Sequence, residues 1–185
     1  SLPDLDLDLD HLTTGRVMHS LFEKIVQNKS FIYESEVIDQ YLNEICEEYK
    51  IIFFEDFLKN NFFQRYHKMA ENFILFESNW RKDFPETQTV GTELRIKSFW
   101  NTEEKNFDHS VGQAFFGSID RVDKDEQGQY VILDYKSSGA GQTNHGSWVK
   151  NKKLQLALYA MAIEAGATSL PAGPVEGAFY FNGKD

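Results

Sequence analysis

Asp120, Asp134 and Lys136 have the types and spacing of groups that can hold a cation and move a proton. They fall in Gly117–Lys136, which reads as two strands joined by a polar turn. Asp125, Glu126, Gln127 and Gly128 are turn formers, and Tyr130-Val131-Ile132-Leu133 is a short β-branched and apolar run of the buried-strand type. A hairpin pivoting near Gln127 sets Asp120 opposite Asp134. Residues facing each other on antiparallel strands have side chains roughly 5 Å apart. Asp134 and Lys136, two apart on one strand, share a face. Two carboxylates at that separation repel unless a cation sits between them, and oxygen ligands of this kind suit a hard divalent ion such as Mg2+. A lysine beside such an ion has a lowered pKa, so it can orient or deprotonate a water. Because Leu133 precedes Asp134 in an apolar run, Asp134 is expected to emerge from a core rather than to sit on a solvated hairpin.

The elements that must position this hairpin follow from periodicity. A helix is predicted over 13–28, with Met18, Leu21, Phe22 and Ile25 as its apolar stripe; Gly15 and His19, four apart, share a face. A second helix covers 35–50, capped by Ser35, with Ile38, Tyr41, Leu42, Ile45 and Tyr49 inward. A third covers about 53–83 and ends before Pro85. Its stripe of Phe62, Tyr66, Met69, Phe73, Phe76 and Trp80 could stack bases, but at helical spacing it reads as core. From Gln88 the period becomes two, with Leu94 and Ile96 on one face and Glu93, Arg95 and Lys97 on the other. A strand at about 112–123 leads into the hairpin. After Lys136 comes a flexible polar loop containing His145, placed where it could border a groove. A helix at 151–165 follows, with Leu154, Leu158 and Met161 inward and Gln155 and Tyr159 on one face. A last strand covers 175–182.

The chain has 185 residues, 41% hydrophobic and 15% aromatic, which fits one globular domain with a sizeable core. No run of about 18 apolar residues is present to form a transmembrane helix, and no signal peptide is visible. A single cysteine, Cys46, excludes an internal disulfide framework and fits a reducing, cytoplasmic compartment. The net charge of -10 argues against nucleic-acid binding by charge alone and suggests that a neighbouring domain supplies much of any phosphate grip. The Asp-Leu alternation of residues 1–12 fits a linker or an edge strand; self-repulsion favours an acidic leader, with the folded domain over 13–185. The first residue is not Met, so the chain is expected to be a piece of a longer protein.

Gly117-Ser-Ile-Asp120-Arg121-Val-Asp123, Asp134-Tyr135-Lys136-Ser137-Ser138 and Gln155-Leu-Ala-Leu-Tyr159 together resemble the PD-(D/E)XK nuclease superfamily, above all the nuclease domains of RecB- and AddB-type helicase-nucleases. The resemblance covers residues 13–182. It implies an α+β fold with a restriction-endonuclease-like core, a mixed β-sheet flanked by helices, and an N-terminal helical segment. It implies a deoxyribonuclease that hydrolyses phosphodiester bonds with Mg2+ or Mn2+ in DNA recombination and repair. His19 of a Gly-x-x-x-His helix, Asp120, Asp134 and the Tyr135 carbonyl would be metal ligands. Lys136 would activate water, Glu93 would be the acidic residue of the preceding strand, and Gln155 and Tyr159 would orient Lys136 and the scissile phosphate. Arg121 could pair a phosphate or a carboxylate, and Lys150, Lys152 and Lys153 stand where DNA phosphates could pass. Some relatives hold an iron–sulfur cluster with four cysteines, which this chain does not have. The partners implied are DNA and helicase domains or a helicase subunit, with no membrane. Two rivals remain: a catalytically silent DNA-binding or scaffold domain of such a complex, and a metal hydrolase acting on RNA.

Overall fold

A computed structural model describes the backbone of residues 3–136 and 145–183, and the side chains of 14–136 and 153–183. The chain divides into two compact units, one of Ser1–Pro85 with Lys136–Gly139 and Asn182–Asp185, the other of Glu86–Tyr135 with Ala140–Phe181.

The first unit is built on three helices, α1 (Pro3–Gln27), α2 (Ser35–Glu48) and α3 (Asp56–Asp83). Most of their predicted stripes are buried: Met18, Leu21, Phe22 and Ile25 on α1, Ile38, Tyr41, Leu42 and Ile45 on α2, and Tyr66, Met69 and Phe73 on α3. Tyr49, expected inward, is instead the exposed C-cap of α2, because the helix ends at Glu48. Phe22 stacks on Phe73 with ring centroids 4.0 Å apart, so the middle of the α3 stripe is core, while Phe62, Phe76 and Trp80 are half-buried. A polar chain ties α2 to α3: His67 lies between the Tyr33 hydroxyl, 2.7 Å from Nδ1, and the Asp39 carboxylate, 2.6 Å from Nε2.

Two helix starts differ from expectation. Residues 3–12 are helical and continue α1 rather than forming a linker or an edge strand. Pro3 opens the helix with a preset φ, acidic residues suit a helix N-terminus, and leucine is a good helix former. Ser35 is the first helical residue and not the cap; Glu34 takes the extended cap conformation with no side-chain capping bond.

The second unit carries a five-stranded sheet of order β2-β1-β3-β4-β5. The strands are β1 (Gln88–Asn101), β2 (Asn106–Asp108), β3 (Gln113–Lys124), β4 (Tyr130–Lys136) and β5 (Val175–Asn182), with α4 (His145–Glu164) crossing from β4 to β5. The pairs β1–β2, β1–β3 and β3–β4 are antiparallel. Hydrogen bonds from Tyr130 N to Pro174 O and from Gly183 N to Lys136 O advance together along β4 and β5, so that pair is parallel and the sheet is mixed. A helical crossover is what parallel neighbours require. The unit's core is Leu94, Ile96, Ile119, Val122, Tyr130, Ile132, Leu156, Tyr159, Ala162 and Ile163. α4 begins at His145, earlier than predicted, so His145 opens a helix and is not a loop residue. Its inward face is Leu156, Tyr159, Ala162 and Ile163, whereas Leu154 is 59% exposed. Residues 137–144 of the polar loop lie outside the described residues.

Candidate metal centre

The β3–β4 turn forms where its residues demand. Gly128 has φ +80°, which glycine adopts without strain. Asp125 accepts a hydrogen bond from Gln129 N through Oδ1 at 2.8 Å, and its own N–H donates to Gln129 O at 2.9 Å. This closure fixes the register at Lys124↔Tyr130 through Arg121↔Leu133. One step further, Asp120 of β3 faces Asp134 of β4. On the other side of β3, Glu93 of β1 falls between the pairs Thr92↔Arg121 and Leu94↔Ile119, opposite Asp120. Three carboxylates therefore stand in a row across three adjacent strands.

The row is held tightly. Asp120 and Asp134 are 6% and 3% exposed. Asp120 Oδ2 accepts the Tyr135 N–H at 2.7 Å. The ligand oxygens of Glu93 and Asp120 lie within 4.8 Å of one another. Glu93 Oε2 accepts the Ser118 hydroxyl at 3.2 Å. Ser118 is two residues before Asp120 on the same strand, a signal that the alternation rule could have used. Glu93 has φ +46°, near a register shift between Thr89 and Gly91. That left-handed conformation costs a non-glycine residue about 1–3 kcal/mol and persists only where surrounding structure enforces it.

Burial pushes the Asp120 carboxyl up to about 9, and the charge and hydrogen bond of Asp134 push the same way, with Glu93 adding to them; only the Tyr135 N–H opposes. Without a cation between them, the Asp120–Asp134 pair favours holding a proton. Like-charged carboxylates at one site behave this way. The donor set, all hard oxygens, fits Mg2+ or Mn2+.

The remaining candidates are placed as follows. Lys136 is half-buried and ends β4, two residues beyond Asp134. Tyr135 is buried, and burial raises its phenol above the ordinary range. Gln155 Nε2 donates to the Tyr159 hydroxyl at 2.8 Å, one turn along α4. His19 is half-buried on α1 in the helical unit. Of the two partners open to Arg121, it takes a carboxylate: it is fully buried and forks onto Asp123, with Nε to Oδ1 and Nη2 to Oδ2 both 2.7 Å. Thr89 Oγ1 adds a third bond to Asp123 at 2.8 Å. Burial disfavours the Arg121 charge, but Asp123 outweighs it and holds the guanidinium above its usual range. Arg121 is thereby a clamp within β3, closed to solvent phosphate. Lys153 is exposed on α4; the side chains of Lys150 and Lys152 lie outside the described residues.

The family model of the PD-(D/E)XK nuclease superfamily matches residues 1–185 of the chain. No curated protein matches it.

Proposed function

We propose that this chain, which belongs to the PD-(D/E)XK nuclease superfamily, hydrolyses phosphodiester bonds in DNA with Mg2+ or Mn2+, as the nuclease module of a RecB/AddB-type helicase-nuclease. The observation that carries the reading is the row of Glu93, Asp120 and Asp134 across β1, β3 and β4. Asp120 and Asp134 would hold the ion, Glu93 would complete the acidic row, and His19 and the Tyr135 carbonyl are the further ligands proposed from the resemblance. A bound ion supplies polarisation of the phosphoryl oxygen and stabilisation of the leaving 3′-oxygen. Lys136, carried by the same strand as Asp134, orients or deprotonates the attacking water. The Gln155–Tyr159 pair orients Lys136 and the scissile phosphate, and Lys150, Lys152 and Lys153 meet flanking phosphates. Among the described residues no helix is long and apolar enough to cross a membrane.

The test is a panel of single-stranded DNA, duplex DNA and RNA incubated with Mn2+, Mg2+ or EDTA. Metal-dependent cleavage of DNA that Asp134→Ala abolishes supports the reading. Cleavage confined to RNA, or none by a folded chain that binds Mn2+, overturns it in favour of an RNA hydrolase or a silent scaffold.

A further inference from the structure

β3 and α4 border an open cleft of about 410 Å³. Phe116, Leu154 and Leu158 line it, together with Gly117 and the Gln155–Tyr159 pair. Phe116 is 71% exposed and Leu154 59% exposed, so an aromatic and an aliphatic side chain are open to solvent on the two walls of the cleft. A Cβ added at Gly117 would come within 3.3 Å of the rings of Phe115 and Tyr159, so a larger residue there would narrow the cleft. Phe116 precedes Asp120 by four residues on β3, so alternation puts the two on one face about 13 Å apart at strand rise. That is the reach of a nucleotide or two from a phosphate at the carboxylate row.

Resting on the nuclease reading, we propose that this cleft is a stacking subsite for an unpaired nucleobase flanking the scissile phosphate, with Phe116 as the stacking face, and that the substrate is single-stranded DNA. An aromatic face accepts any base, so the subsite selects strandedness and not sequence. A duplex keeps its bases stacked inside and offers none to Phe116. The occupant follows from continuity: the cleft shares β3 with Asp120 and is bordered by the pair proposed to orient the phosphate.

The experiment uses a single-stranded DNA oligonucleotide carrying 2-aminopurine, titrated into the chain in EDTA, where binding is read without cleavage. Quenching by the wild type is expected. Phe116→Ala should lower affinity roughly 5- to 150-fold, the range for losing one base–aromatic stack, whereas Phe116→Trp should keep the quench. Phe116 is exposed, so both variants are expected to melt like the wild type; Leu154→Ser is a second variant on the same wall, expected to weaken the quench. Equal quenching in wild type and Phe116→Ala, or equal quenching by blunt duplex, overturns the subsite. Stronger quenching by the same strand in RNA overturns the choice of DNA. Mn2+-dependent cleavage of single strands that Phe116→Ala leaves unchanged sinks the subsite and spares the nuclease reading. Stacking on Phe116 with no cleavage under any metal sinks the nuclease reading and spares the subsite.

Discussion

Asp120 couples the site to pH. An unfolded aspartate titrates near 4, whereas the folded carboxyl is pushed up to about 9 by burial and by Asp134. Across that interval the native chain holds a proton that the unfolded chain has lost, so folding takes up a proton. Its contribution to stability is complete below about 4 and is lost as pH rises through about 9. The metal-free chain should therefore melt at lower temperature at pH 8 than at pH 6. A divalent ion replaces the proton, so the gain in melting temperature from Mn2+ should be larger at pH 8 than at pH 6. Asp120→Asn should flatten the metal-free profile and remove the Mn2+ gain. Calorimetry with and without Mn2+ measures both, and an Asp120→Asn profile parallel to the wild type would assign the pH dependence elsewhere. In the proposed mechanism Lys136 acts on the water and not on the ion. Lys136→Ala should cut cleavage about 100-fold or more and leave Mn2+ affinity intact or raised. Lys136→Arg should not rescue, because its head stays protonated and is larger. Near-normal cleavage in Lys136→Ala would remove lysine from the mechanism.

At the scale of elements, β3 does most of the positioning: it faces Glu93 on one side and Asp134 on the other, and Arg121 and Asp123 clamp it to Thr89 of β1. Arg121→Met would leave the Asp123 carboxylate buried without its cation, which costs about 3–5 kcal/mol. Urea unfolding should register that loss, and Arg121→Met combined with Asp123→Leu should recover much of it. The hairpin was legible in the sequence because turn formers and a β-branched run together fix a pivot, and the pivot alone sets Asp120 against Asp134. The positive φ of Glu93 was not, because an alternating pattern carries no sign of a local kink. The phase of α4 is legible only in part: Met161 packs against the core as its spacing predicts, but Leu154–Ile163 is apolar on nearly every side, so periodicity does not choose between Leu154 and the buried Leu156. β2, three residues long, is too short to show a period. The Asp-Leu leader alternates like a strand, and only its end effects favour a helix. Arg121 beside Asp123 was ambiguous because residue types do not report burial. Glu93→Gly gives a prediction at this scale: glycine relieves the left-handed strain, so the variant should unfold no more easily than the wild type, or up to about 1 kcal/mol less easily, while Glu93→Gln keeps the strain. Both should weaken Mn2+ binding if Glu93 completes the site.

For the molecule as a whole, a net charge of -10 opposes contact with a polyanion. A cation at the carboxylate row offsets part of the local repulsion, but it does not supply a grip along the strand. The densest basic cluster in the sequence is Lys150, Lys152 and Lys153. If these three meet three phosphates of a single strand, the affinity should fall with salt at a slope of about -2 on logarithmic axes. Stacking on Phe116 adds affinity without adding to that slope, since it releases no counterions. The two contributions can therefore be separated in one data set. Replacing the three lysines by serine should bring the slope close to zero while the 2-aminopurine quench persists at low salt. Phe116→Ala should shift the line to weaker binding with the slope unchanged. Fluorescence titrations between low and physiological salt provide both numbers. A steep slope that survives loss of the lysines would place the phosphate grip on other cations of this chain. Weak binding at physiological salt by the intact chain is the expected outcome. That outcome would assign the main hold on DNA to a partner, such as the proposed helicase domain, and leave this chain to position one phosphate at a time.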